Sequence, residues 1–107
     1  MISNPSLKPA FTELAPVNHT QVANNAWEDF DLSASIPAGC LAVVVSSVPG
    51  VAGNKGVRNN GSALSRYVSN SGAGFCHTMW TGKPDSNRLI ETYAATNEHF
   101  YLVGYWL

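Results

Sequence analysis

Residues 88–107 read RLIETYAATNEHFYLVGYWL, and this stretch decides the fold. It predicts two β-strands joined by a short polar turn. Over 88–95, Leu89, Glu91 and Tyr93 share one face, and Ile90, Thr92 and Ala94 the other. Over 99–106, Phe100, Leu102 and Trp106 fall on one face, and Tyr101, Val103 and Tyr105 on the opposite one, because strand side chains alternate every residue. Both faces of the last strand are therefore apolar or aromatic. Such a strand is expected at the centre of a sheet, covered on both sides. It also ends the chain, so the fold closes only when the C-terminal residues arrive.

Upstream, the same punctuation repeats. Residues 75–81 (FCHTMWT) predict a strand with Phe75, His77 and Met79 on one face and Cys76, Thr78 and Trp80 on the other. Residues 63–69 and a strand opening at Gly56-Val57-Arg58 flank Asn59-Asn60-Gly61-Ser62, where Asn-Gly is a tight-turn signal. Residues 41–48 (LAVVVSSV) form the clearest buried strand: β-branched, uncharged and short. Before the turn at Ile36-Pro37-Ala38-Gly39 lies a strand over 27–33, with Trp27, Asp29 and Asp31 opposite Phe30 and Leu32. Residues 11–17, stopped by Pro16, and 19–23 are the first strand segments, and residues 1–10 an extended arm tied to its own domain or to a neighbouring subunit.

No stretch sustains helical periodicity. About eight strands at 8–12-residue spacing predict an all-β antiparallel sandwich, and eight strands in two Greek keys is the jelly-roll pattern. An immunoglobulin-like sandwich competes, but its Cys…Trp…Cys spacing is absent. At 107 residues, 11–107 reads as one β-sandwich domain. A chain this long buries roughly 65% of its unfolded surface, enough for a core without cross-links.

Charged residues make up only 12% of the chain, about half the usual share. Low charge fits either a neutral Ser/Asn-rich surface or a surface held against partners. The net charge of -1, with Arg58, Arg66 and Arg88 scattered, argues against nucleic-acid binding. No apolar run is long enough for a membrane helix, and MISNPSLKPAF lacks a signal-peptide layout, so synthesis and retention in a cytoplasm is the expectation.

The chemistry-bearing residues form no catalytic constellation in sequence. Cys40 and Cys76 sit in or beside apolar runs, as buried structural thiols do. His19, His77, His99 and the two cysteines lack zinc-site spacing, so no metal is expected. Adjacent Cys76 and His77 point to opposite faces of a strand and make no thiolate pair. Asp29 and Asp31 share a strand face, whereas paired catalytic carboxylates flank a cleft from separate elements. Glycines 50–56 match no phosphate loop. The reading is a non-enzyme without cofactor. Trp27, Tyr67, Trp80 and Trp106 are candidates for an aromatic platform that stacks a glycan, or for core and subunit-interface packing. Arg58 is a candidate partner for Asp31 or Glu91 in an ion pair that constrains its loop.

The combination Trp27…Asp31-Leu32-Ser33…Ile36-Pro37-Ala38-Gly39, then Gly56-Val57-Arg58…Gly61-Ser62…Arg66, then Ile90-Glu91…Tyr93-Ala94…Phe100-Tyr101-Leu102-Val103-Gly104-Tyr105, resembles small β-rich virion domains of tailed phages. These include capsid decoration proteins and domains of tail or fibre proteins. The resemblance covers most of the chain after Trp27. It rests on strand-and-turn signatures, so it carries over no functional residue. It implies a structural or adhesive role in a virion made in a host cytoplasm, a symmetric homo-oligomer (often a trimer), and capsid or tail proteins as partners. A capsid decoration or cementing subunit is the first expectation. A carbohydrate-binding module or receptor-binding fibre or tail domain is the second.

Overall fold

The computed structural model describes residues 10–64, 66–74 and 77–107. The arm expected over 1–10 lies, but for Ala10, outside the described residues, as do Cys76 and its relation to His77. Eight strands are formed: β1 (Phe11–Thr20), β2 (Ala26–Asp31), β3 (Ala42–Ser47), β4 (Gly53–Asn59), β5 (Tyr67–Asn70), β6 (Thr78–Gly82), β7 (Leu89–Ala94) and β8 (His99–Trp106). They make two antiparallel sheets, ordered β1-β8-β3-β6 and β2-β7-β4-β5.

The pairing has a simple origin. β1 pairs with β8, β2 with β7, β3 with β6 and β4 with β5, as if the chain were one long hairpin with its tip between β4 and β5. Rolling that hairpin adds the β8–β3 and β7–β4 pairs. Every connection then crosses between sheets except β4–β5, which is the jelly-roll order. β8 sits between β1 and β3, so the C-terminal strand does close the first sheet.

Alternation explains the core. Val43 and Val45 of β3, Val57 of β4, Trp80 of β6, Ile90 and Ala94 of β7, and Phe100 and Leu102 of β8 point between the sheets and are buried. Phe30, Leu32, Ile36 and Cys40 close the same cluster from β2 and the connection after it. Each large aliphatic or aromatic side chain buried there contributes about 1.5–3 kcal/mol.

Two local expectations are corrected. Pro16 does not end the first strand: β1 runs to Thr20. Proline is tolerated because β1 is an edge strand, and residues 14–16 bulge out between the pairs Glu13↔Gly104 and Val17↔Leu102. The opposite faces expected for Tyr105 and Trp106 are also exchanged. Between Val44↔Gly104 and Val45↔Leu102, β8 carries one extra residue, Val103. A one-residue bulge inverts the alternation beyond it. Tyr105 therefore packs against the core, while Trp106 turns outward to meet Phe11 at a centroid distance of 5.1 Å. Phe11 lies over Gly104, where an added Cβ would sit 2.1 Å from its ring.

Candidate functional site

The outer face of the β2-β7-β4-β5 sheet carries the densest side-chain cluster. Register places Trp27 opposite Tyr93, Tyr93 opposite Gly56, and Gly56 opposite Tyr67, one row across four strands. Residues in one row face the same way, so three rings converge over a glycine. Tyr67 and Tyr93 meet edge to face at 4.7 Å, and Trp27 lies 5.4 Å from Tyr93 and 5.6 Å from Tyr67. Gly56 is required by this approach: a Cβ there would stand 2.6 Å from the Arg66 carbonyl oxygen and 3.0 Å from Trp27 Cη2.

The next row joins Asp29, Glu91 and Arg58. Arg58 Nε donates to Glu91 Oε1 at 2.8 Å, and the guanidinium carbon stands 4.0 Å from the Trp27 ring centroid. Glu91 thus fixes the arginine and the arginine caps the indole, a cation–π contact worth about 0.5–2 kcal/mol according to how far it is desolvated. Asp31 takes no part. Its carboxylate accepts from Ser33 N at 2.9 Å, and those Ser33 hydrogen bonds hold it below the usual carboxylate range.

The four candidate aromatics are split by the fold. Trp27 and Tyr67 come together with Tyr93. Trp80 does not join them: it is 6% exposed, inside the core, 5.9 Å from Phe100. Its strand alternation points it inward, with Val45 as its β3 partner, so it is unavailable to a surface platform. Trp106 lies on the other sheet with Phe11. Tyr93 was legible as sharing a strand face with Leu89 and Glu91, but its place beside Trp27 depends on register. Gly56 was the available signal, since a glycine inside a strand marks close approach of another group.

At the end of the sandwich holding the β3–β4 and β7–β8 turns lies a buried polar knot. Lys55 of β4 points inward, and its ammonium donates to the Ser47 hydroxyl and to the His99 carbonyl at 3.1 Å. It also stands 3.7 Å from Glu98 Oε1 and 4.8 Å from the Phe100 ring centroid. Glu98 accepts two hydrogen bonds from Gly50 N, at 2.9 and 3.1 Å. Burial pushes the Lys55 ammonium below its usual value, and Glu98 opposes that shift. A hydroxyl beside such an amine has the makings of a nucleophile. Here Ser47 is 2% and Lys55 3% exposed, so a substrate has no approach to them. The knot ties strands together instead.

His19 stacks on Phe30 at 4.6 Å and lies 2.8 Å from Glu28 Oε2, off the line a hydrogen bond needs. Burial lowers its pKa, and Glu28 opposes the shift. Glu28 is occupied by the Val22 and Ala23 amides. Cys40 is buried, which pushes its thiol up. Among the described residues no group of three or more His, Cys, Asp or Glu is placed to hold a metal ion. No helix among them is long and apolar enough to cross a membrane.

The outer face of the β1-β8-β3-β6 sheet differs in character. Phe11, Leu14, Pro16, Val44, Met79 and Val103, with Glu13, line a shallow depression of about 330 Å3. Met79 is 64%, Phe11 41% and Trp106 38% exposed. No protein-family model, curated protein or solved structure matches this chain.

Proposed function

We propose that this chain is a non-enzymatic structural protein of a virus particle, a capsid decoration or cementing subunit. It assembles as a homo-oligomer, a trimer on the phage resemblance, and binds neighbouring capsid or tail proteins in the virion. The observation that carries this reading is the apolar outer face of the β1-β8-β3-β6 sheet, with Met79, Phe11 and Trp106 open to solvent. Exposed contiguous apolar surface on a small domain marks an interaction site, and aromatic residues and methionine are enriched in interface cores. The sealed Ser47–Lys55 pair and the committed Arg58–Glu91 pair leave their ionic groups in structural contacts. The test is mass spectrometry of particles purified from cells that express the chain, with and without residues 1–9. Incorporation that weakens on removing the arm is the expected result. Particles free of the chain would sink the reading.

A second reading has its own observation. Tyr67 is 40% exposed beside Tyr93 and Trp27, an aromatic edge on which a sugar ring stacks in a carbohydrate-binding or receptor-binding fibre domain. Against it, Arg58 already stands on the Trp27 ring. A glycan array checks it: silence, with Trp27 emission unmoved by sugars, removes this alternative.

A further inference from the structure

We propose that the outer face of the β1-β8-β3-β6 sheet is where a second copy of this chain docks, face to face about a two-fold axis. This rests on the homo-oligomeric reading above, names its surface, and gives a two-fold contact in place of the trimer of the phage resemblance. On the opposite sheet, Asp29, Asp31, Glu91 and Arg58 alternate outward with Trp27 and Tyr93. On this sheet, the residues of β8, β3 and β6 that face outward, from Tyr101 and Val103 through Val44 and Ser46 to Met79 and Thr81, include no Asp, Glu, Lys or Arg; the imidazole of His99 stands at the end of β8, in contact with Asn18 and Thr20 of β1. Glu13, on edge strand β1, is the carboxylate that borders them.

A face whose inner strands carry no Asp, Glu, Lys or Arg meets its own copy without like-charge repulsion at the centre. Two copies mate there without removing an unpaired ion from water, which is the main cost of a wrong contact. Glu13 on the edge strand remains at a rim, where charge is tolerated. The dimensions suit the same occupant. Four strands spaced about 4.8 Å apart and some six residues long give a projected face of roughly 400 Å2. That is about half of the roughly 800 Å2 per partner of standard interfaces, the size of a weak, concentration-dependent contact. Flat sheet faces also pack on one another about 10 Å apart, as the two layers of this sandwich do.

The bulge at Val103 adds an independent point. Without it, Trp106 would point inward and Tyr105 outward. With it, the indole joins Phe11 on the outer face, and a phenol joins the core. Local irregularity thus enlarges the apolar surface where a partner is proposed. Bulges commonly re-aim side chains in this way.

Sedimentation equilibrium over a wide concentration range tests the proposal on the full chain, with Met79→Glu, Thr81→Lys and Ser69→Glu variants. Met79 and Thr81 are exposed on the proposed face, and Ser69 is exposed on the other sheet. The parent and Ser69→Glu are expected to self-associate. Met79→Glu and Thr81→Lys should each weaken association at least about 100-fold, because a desolvated unpaired charge costs several kcal/mol. Circular dichroism and melting identical to the parent show that these variants fold. A monomeric parent at all concentrations overturns the proposal, and so does association that both β6 variants leave untouched. Association as described in a chain that never enters particles supports this inference and overturns the virion reading alone. A monomer that still enters particles does the reverse.

Discussion

Neutralising Glu98 should destabilise the fold through Lys55, 43 residues away in sequence. Both side chains lie between the sheets, 3% and 8% exposed, with 3.7 Å between Nζ and Oε1. In Glu98→Gln the amide oxygen can still accept from Gly50 N, so what disappears is mainly the negative charge. Removing one partner of a buried ion pair costs about 3–5 kcal/mol. Lys55 keeps its bonds to Ser47 and the His99 carbonyl, so the lower end applies, about 3 kcal/mol. For a domain of this size that corresponds to a melting temperature lower by about 12–20 °C. Lys55→Met should be milder, and Lys55→Met/Glu98→Gln milder than the sum of the two, with about 2 kcal/mol of coupling in the double-mutant cycle.

The pH dependence has a definite sign. Burial already holds the Lys55 ammonium below 10.5, and without Glu98 it falls further. Between the folded and unfolded values the unfolded chain binds more protons, so stability rises with pH in that window. The deficit of Glu98→Gln should therefore shrink as pH climbs toward 10.5. Urea unfolding at several pH values reads both effects. A variant within about 0.5 kcal/mol of the parent at pH 7, with a flat difference across pH, would refute the reasoning.

Three further outcomes follow from the geometry. Gly56→Ala should cost about 1–3 kcal/mol, since its methyl meets the Arg66 carbonyl and the Trp27 ring, and should shift tryptophan emission. Arg58→Ala should cost about 1–2 kcal/mol, measured by denaturant melts, with Arg58→Lys restoring only part because lysine lacks the planar guanidinium. His19 is held neutral by burial, so the unfolded chain binds more protons below its ordinary value of 6.5. Stability should fall as pH drops below 6.5, and His19→Phe should flatten that slope in urea titrations at pH 5 and 7.

Period-2 alternation by itself determined the strand faces of this protein. Ile90 was legible as a companion of Thr92 and Ala94, Phe100 as a companion of Leu102, and Glu91 and Tyr93 as companions of Leu89, because a strand's two faces are written locally; which of those faces is the core was not. Short runs separated by Gly, Pro and Asn likewise determined an eight-strand sandwich. Only the tertiary structure decided which strands are neighbours, because register joins residues far apart in the chain. That is why Arg58 takes Glu91 and not Asp31, why Trp27 and Tyr67 meet while Trp80 enters the core, and why Lys55 finds Glu98. The bulge at Val103 was hidden for the same reason: an unbroken apolar and aromatic run satisfies either alternation, and only the pairing with β1 and β3 shows the extra residue.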